Sequence, residues 1–419
     1  MRWLQACILG MSALVLSACQ GSPAAPARIL SLGHHLRETK AGVRSSPAVA
    51  DLDGDGTLEI AVGSQDGYFY LLDERLNSLP GWPHYSRGGF YGSPAVADLD
   101  SDAEREILAA ADAGKLYAWN MDGTSVPGWP VSLGYRAWSS PTVLPDGRIA
   151  IAGLRQVMVF TVDGRPAPGW PQAQPDWSVA TAAVGPDLLA VTTLTRGADS
   201  SGSLNAWHLD GSPYPWSPLG LVDDSASSPA IADLDRNGAV EIVYGDDAGF
   251  VRVTGVDGVE REGWPQRTAG AVEASPAVAD LDADGRLEVV CGSGDGRMYV
   301  WNDAGQLLVG WPQQANGPFV ASAALADLDA DDAVDIIAGC IDGYLYGWNS
   351  RGEALPGFPI DLGASVRSAP WVGDIEGDNR ADVIVGADDG IHLLRDVGSL
   401  GAVPWPRFHH DLQNSGYQP

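Results

Sequence analysis

The sequence predicts an all-β fold, a β-propeller of eight four-stranded blades, with seven blades as the alternative. Three observations carry the prediction. A Ser-Pro step at Ser46, Ser93, Ser140, Ser228 and Ser275, with weaker equivalents at Thr181, Ser322 and Ala369, divides the chain at spacings of 47, 47, 41, 47, 47, 47 and 47 residues. Each division holds four short apolar phrases separated by Gly, Pro, Asn and Asp. No stretch shows the 3.6-residue hydrophobic period of a helix. A lone four-stranded sheet cannot bury both faces, whereas a closed ring of stacked sheets can.

The eight units are 46–92, 93–139, 140–180, 181–227, 228–274, 275–321, 322–368 and 369–419, one domain over 29–419. The first phrase is apolar and ends in Asp, as in SPAVAD and SPAIAD. The second follows an acidic loop, as in LEIAVGS, VEIVYGD and LEVVCGS. The third is an alternating aromatic run after a Gly, as in YFYLLD, KLYAWN, RMYVWN and YLYGWN, whose period of two marks a strand. The fourth is Pro-Gly-Trp-Pro or a near relative, at Trp82, Trp129, Trp170, Trp264 and Trp311, then Phe358 and Trp405. These tryptophans and those of the third phrase (Trp119, Trp207, Trp301, Trp348) recur in register, so they read as filler between blades rather than as platforms for sugars. Two segments suit the outer strand of the last blade. Ile29–Gly33 repeats the outer-strand text VSLG and IDLG, and the C-terminal PWPRFHHDLQNSGY begins like a fourth phrase.

Composition narrows the function classes. With 419 residues, 45% of them hydrophobic, the chain suits a large core. Its 54 acids against 25 bases give a net charge of −29, which argues against nucleic acid as a partner. Lys40 and Lys115 are the only lysines, leaving little scope for amine catalysis. Residues 1–18 read as an export signal, with Arg2 ahead of an apolar run too short to span a bilayer. Leu16-Ser17-Ala18-Cys19 resembles a bacterial lipobox, which implies cleavage before Cys19 and lipidation of its thiol. Residues 19–28 form a Pro/Ala tether, and Gln20 resembles the residue that sends lipoproteins on to the outer membrane. Membrane attachment is expected through that anchor alone. Cys291 and Cys340, each in a β-prone run, read as buried thiols.

The acidic loops carry the chemistry. The first, DLDGDGTLE from Asp51, opens like an EF-hand. An EF-hand needs a bidentate Glu at its twelfth position and flanking helices, yet the twelfth residue is Val62 and the flanks are strands. The acid stands at position nine. Six units keep this pattern: Asp51/Asp53/Asp55/Glu59, Asp98/Asp100/Asp102/Glu106, Asp233/Asp235/Asn237/Glu241, Asp280/Asp282/Asp284/Glu288, Asp327/Asp329/Asp331/Asp335 and Asp374/Glu376/Asp378/Asp382. Repeated D-x-D-x-D-G-x-x-[DE] loops before an [IV]-x-[IV]-G strand resemble the FG-GAP/VCBS repeats of integrin α-subunits and bacterial surface proteins, over about residues 45–405. The resemblance implies a propeller with calcium between the first and second strands of each blade. Ca²⁺ takes six to eight oxygens, and alternating Asp side chains on a tight loop supply them. The expected ligands are the side chains of positions one, three, five and nine and the carbonyl of seven, for up to six structural ions. Ala103, Asp332 and Asn379 replace the turn Gly, which predicts a different bend in those loops. Units 140–180 and 181–227 have TVLPDGRIA and AVGPDLLAV there, so no metal is expected.

The loops preceding each Ser-Pro vary between units. Two residues before each step stand Arg44, Tyr91, Trp138, Val179, Ala226, Glu273, Val320 and Arg367. Residues two apart on a strand share a face, so these eight should ring one mouth of the channel. Arg44, Tyr91, Trp138 and Arg367 form its candidate binding arc, for a protein or glycan partner. There is no G-x-S-x-G, no H-E-x-x-H and no phosphate-cradling glycine loop. The expectation is a non-enzymatic, calcium-binding envelope protein. The alternatives are a polysaccharide lyase or other carbohydrate-active propeller, and an outer-membrane assembly scaffold. The paired histidines His34-His35 and His409-His410 are expected near each other where the ring closes.

Overall fold

Short alternating phrases between Gly and Pro turns leave the backbone one economical arrangement, a series of antiparallel meanders. The computed structural model describes residues 33–195 and 201–419, so the export signal, Cys19, the tether and residues 29–32 lie outside the described residues. Every regular element among the described residues is a β-strand, and the strands form eight four-stranded antiparallel sheets. The fold is an eight-bladed β-propeller. In blade 1 the strands Ala48–Ala50, Glu59–Gly63, Tyr68–Leu72 and His84–Tyr85 pair in chain order, with Val49 opposite Ile60 and Ile60 opposite Leu72. Blades 2 to 7 repeat this plan.

Each phrase has a packing reason. The innermost strands converge on the axis and begin and end in alanine in blades 1, 2, 6 and 7, because little width remains there. The PGWP tryptophan of one blade meets the third-strand aromatic of the next, as in Trp82 with Trp119 (centroids 5.6 Å apart) and Trp311 with Trp348 (5.9 Å). Its indole N–H donates to a carbonyl of that next blade, Trp82 Nε1 to Met121 O at 2.7 Å. Blade 4 does the same one residue earlier, with Trp216 Nε1 donating to Val256 O at 2.8 Å. That copy escaped the sequence reading because its text is Pro-Trp-Ser-Pro.

The Ser of Ser-Pro joins neighbouring blades. The hydroxyls of Ser46, Ser93, Ser140, Thr181, Ser228 and Ser275 each accept the backbone N–H of the equivalent residue one blade earlier, at 2.8–3.1 Å. The bond from Ala369 N to Ser46 Oγ (2.9 Å) joins blade 8 to blade 1 and so closes the circle.

Ring closure settles the rivalry between the termini. Blade 8 consists of Trp371–Gly373, Arg380–Gly386, Gly390–Ser399 and, outermost, the N-terminal strand Gly33–Glu38, which pairs antiparallel from Gly33/Arg395 to Glu38/Gly390. The C-terminal tail is not a fourth strand, and Trp405 is not a PGWP tryptophan. The tail enters the axis instead. An innermost strand has no neighbour on its inner side, so its central N–H points into the channel unpaired. The tail supplies the acceptors. Leu325 N bonds Trp405 O, Val372 N bonds Pro406 O, Val96 N bonds Leu412 O, Val143 N bonds Gln413 O, Val184 N bonds Ser415 O and Ile231 N bonds Gly416 O, all at 2.7–2.9 Å. Tyr417–Gln418 then pairs parallel to Ile231–Ala232 as a fifth strand of blade 5. Arg407, fully buried, donates to Pro47 O and Pro94 O, and Asn414 Nδ2 to Pro94 O and Pro141 O.

The histidine pairs therefore separate. His34, on the outermost strand, stacks on His392, whereas His409 is buried in the axial tail. Cys291 and Cys340 are free and buried.

Candidate metal loops and the channel mouth

The six acidic loops join the first and second strands of blades 1, 2, 5, 6, 7 and 8, and they share one construction. The first-position carboxylate accepts backbone N–H groups from within the loop, Asp51 from Gly54 (2.7 Å) and Gly56 (3.0 Å). The ninth-position carboxylate accepts the N–H of position two, as Glu59 does from Leu52 (2.9 Å) and Glu288 from Leu281 (2.7 Å). All six loops keep this second bond.

The backbone at position six is left-handed in every loop. Gly56, Gly238 and Gly285 have φ of 88–89°, and Ala103, Asp332 and Asn379 have 76°, 69° and 64°. The expectation that the three substituted loops bend differently is thus corrected, since they adopt the same turn with side chains less suited to it.

In five loops three carboxylate oxygens come within 4.8 Å of one another: Asp51/Asp53/Glu59, Asp98/Asp100/Glu106, Asp233/Asp235/Glu241, Asp280/Asp282/Glu288 and Asp327/Asp329/Asp335. Two oxygens on opposite sides of a Ca²⁺ stand about 4.8 Å apart, twice a Ca–O distance of about 2.4 Å, so the span fits one coordination shell. Position five is placed differently from the expected ligand set. Asp55, Asp102, Asn237, Asp284 and Asp331 accept the N–H of position seven at 2.7–2.9 Å and brace the turn. In the sixth loop Glu376 pairs with Arg395, and Asp382 also accepts the N–H of Asp396 (3.0 Å), so its acids are engaged toward the third strand, away from Asp374 and Asp378. In blade 5, Arg261 reaches Glu241 at 3.2 Å.

The ninth-position acids are buried, and burial pushes their carboxyls up, with help from the neighbouring aspartates. Glu106 and Asp335 rise to about 7 and Glu288 to about 8. Asp280 Oδ1 is buried with no hydrogen-bond donor. Buried carboxylates crowded in this way lack a positive partner, and a divalent cation is the partner their oxygen-only donor set suits.

Blades 3 and 4 replace the loop with tight turns, closed in blade 3 by Gly147 N to Leu144 O at 2.9 Å. Their Pro145 and Pro186 help wall a cavity of about 880 Å³ above the axial tail, with Arg105, His410 and Asp411 among its polar lining. The sequence reading did not foresee this cavity. Its one legible signal was the shortened text at 144–147 and 185–187.

At the opposite mouth all eight expected positions, from Arg44 through Arg367, line one cavity of about 160 Å³. Phe408 of the tail lies at its inner end. Tyr91 and Trp138 stand 5.6 Å apart, Arg136 covers the Trp138 ring, and Trp138 Nε1 donates to Asp112 at 2.7 Å. The Arg136 guanidinium, with the Trp138 indole, holds the Asp112 carboxyl below its usual range.

No protein-family model and no curated protein matches the chain. Solved structures do. The crystal structure of the computationally designed Ika8 protein aligns with a TM-score of 0.58 at 16% identity, over 86% of this chain and 98% of its own. BamB from Moraxella catarrhalis aligns with a TM-score of 0.56 at 15% identity, over the same shares. At these identities the likeness concerns the fold alone.

Proposed function

We propose that this chain is a non-enzymatic, calcium-binding propeller of the FG-GAP/VCBS type, exported and lipid-anchored at Cys19 to the bacterial outer membrane, that binds a protein or glycan partner through its varied-loop face. The observation that carries the calcium reading is the convergence of three carboxylate oxygens within 4.8 Å in five loops, each around a buried ninth-position acid. A bound Ca²⁺ would supply the positive charge these acids lack. The chain's own part is to present the oxygens on a left-handed turn and to seat the ninth-position carboxylate on the position-two N–H. The ion then ties the first strand of a blade to its second, a structural role. The blades with the full acid set and no arginine on it, 1, 2, 6 and 7, are the strongest candidates.

The binding reading is supported by how the surface varies. The metal loops repeat, whereas the loops before each Ser-Pro differ in every unit and bring Arg44, Tyr91, Trp138 and Arg367 to one opening. The deciding experiment for calcium is calorimetric titration of EDTA-stripped protein together with its thermal unfolding. Several binding events and a large rise in Tm are expected, and an unchanged Tm refutes the metal reading. For the partner, capture from native envelope is expected to be lost with Trp138→Ala, and capture indifferent to every mouth substitution refutes the loop-face reading.

A further inference from the structure

We propose that the mouth cavity is an oxyanion site on the propeller axis, taking a carboxylate or sulfate group between Arg44, Arg367 and the ring of interblade hydroxyls. The inference rests on the reading of this mouth as the binding face and names its ligand class. The first observation is the hydroxyls themselves. Ser46, Ser93, Ser140, Thr181, Ser228 and Ser275 are all buried, and all line this cavity. Each oxygen accepts a backbone N–H from the preceding blade. A hydroxyl has one hydrogen to donate as well, and among the described residues none of these six finds a protein acceptor. Buried donors are almost always satisfied. These six converge on one space of about 160 Å³, and the side chain at its inner end, Phe408, is apolar. Their acceptor therefore enters from the mouth.

The second observation is charge. The chain has 54 acids for 25 bases, yet among the described residues Arg44 has no ion-pair partner. Arg367 Nε is buried with no hydrogen-bond acceptor, and its nearest carboxylate, Asp388, stands 3.7 Å away. One acid, Glu273, lines the same cavity on blade 6, against two guanidinium groups on the adjoining blades 8 and 1. The lining is thus rich in donors and short of acceptors. A neutral sugar, whose hydroxyls also need acceptors, matches it poorly. An oxyanion, which only accepts, matches it well. The small volume and Glu273 favour a single compact anionic group over a polyanion.

The test uses full-length, calcium-loaded protein. Calorimetry and thermal shift are run with sodium sulfate and sodium acetate against sodium chloride at equal ionic strength, and with a pentapeptide bearing a free C-terminal carboxylate against its amide. Saturable binding is expected for the oxyanions, weakened about tenfold or more in the Arg44→Gln/Arg367→Gln double variant and unchanged in Arg136→Gln, whose partner Asp112 lies outside the cavity. Binding by sulfate or acetate identifies a free ion as sufficient. Binding by the free-carboxylate peptide alone identifies a chain terminus as the source. No saturable binding by any probe, or binding indifferent to the double variant with native unfolding cooperativity retained, overturns the assignment. If that happens while Trp138→Ala still abolishes partner capture, the anion site falls and the loop-face reading stands. If the oxyanions bind but no mouth substitution affects capture, the reverse holds.

Discussion

Replacing Glu288 by Gln tests the metal-loop reasoning through a change of sign. Glu288 is buried, accepts the Leu281 N–H at 2.7 Å and shares its loop with Asp280 and Asp282 within 4.8 Å. Burial, reinforced by the loop aspartates, raises its carboxyl from 4.5 to about 8. Between those pH values the metal-free folded state holds one proton that the unfolded state has released. Stability is then full below about 4.5 and falls as pH rises toward about 8, at about 1.4 kcal/mol per pH unit. At pH 8 the ionised side chain costs the metal-free protein up to roughly 4 kcal/mol. Gln keeps an acceptor for Leu281 and carries no charge. In EDTA at pH 8, Glu288→Gln should therefore stabilise the protein by about 2–4 kcal/mol, and near pH 4 it should be neutral. In calcium the sign reverses, because the loop loses a charged ligand and with it about 3 kcal/mol of linkage at a free calcium near 100 times the dissociation constant. Urea unfolding of both proteins in EDTA and in calcium, at pH 4 and pH 8, measures all four differences. A variant that is less stable than the parent in EDTA at pH 8, or that shifts equally with and without calcium, refutes the idea that this acid is buried to meet a cation.

Three further outcomes follow from the geometry. Ala103 holds φ 76° at a turn where three sister loops have Gly, so Ala103→Gly should raise stability by about 1 kcal/mol in urea titration, while Gly56→Ala, at φ 89°, should lower it by about 1–2 kcal/mol; equal midpoints for all three proteins would contradict this. Ser140→Ala strips the acceptor from the buried Ser93 N–H (2.8 Å) and should cost about 1–3 kcal/mol, and a silent substitution would show that the hydroxyl ring does not join the blades. Arg407→Ala removes donors to Pro47 O and Pro94 O on two blades and should cost about 2–4 kcal/mol by thermal unfolding, although burial, which pushes this guanidinium down to about 10, offsets part of the loss; a stabilised variant would mean that the buried charge outweighs its contacts.

The repeat was legible because each unit meets the same packing problem in the same order. Ser-Pro, the acid at position nine, the alternating aromatic run and PGWP each answer one local demand: an N–H from the preceding blade, an N–H at position two, a two-faced strand and a gap between blades. The mouth ring was legible too, since register alone places Arg44, Tyr91, Trp138 and Arg367 two residues before the repeating step. Trp216 was missed because one inserted position breaks the text while the indole keeps its hydrogen bond. The arginines set on Glu241 and Glu376 were missed because Arg261 and Arg395 come from other strands of their blades.

By itself, then, the sequence determined the number of blades, the strand order within each and the positions of the acidic loops, all of which depend on contacts within one repeat or between like positions of neighbouring repeats. The tertiary structure alone decided which terminus completes blade 8 and what fills the axis. Both ends of the chain carry strand-like text, but only a closed ring creates a circle of inward-facing N–H groups. Residues 402–418 satisfy six of those groups at once with a non-repeating run of carbonyls, and no periodicity along the chain could announce a partner that exists only once the circle has formed.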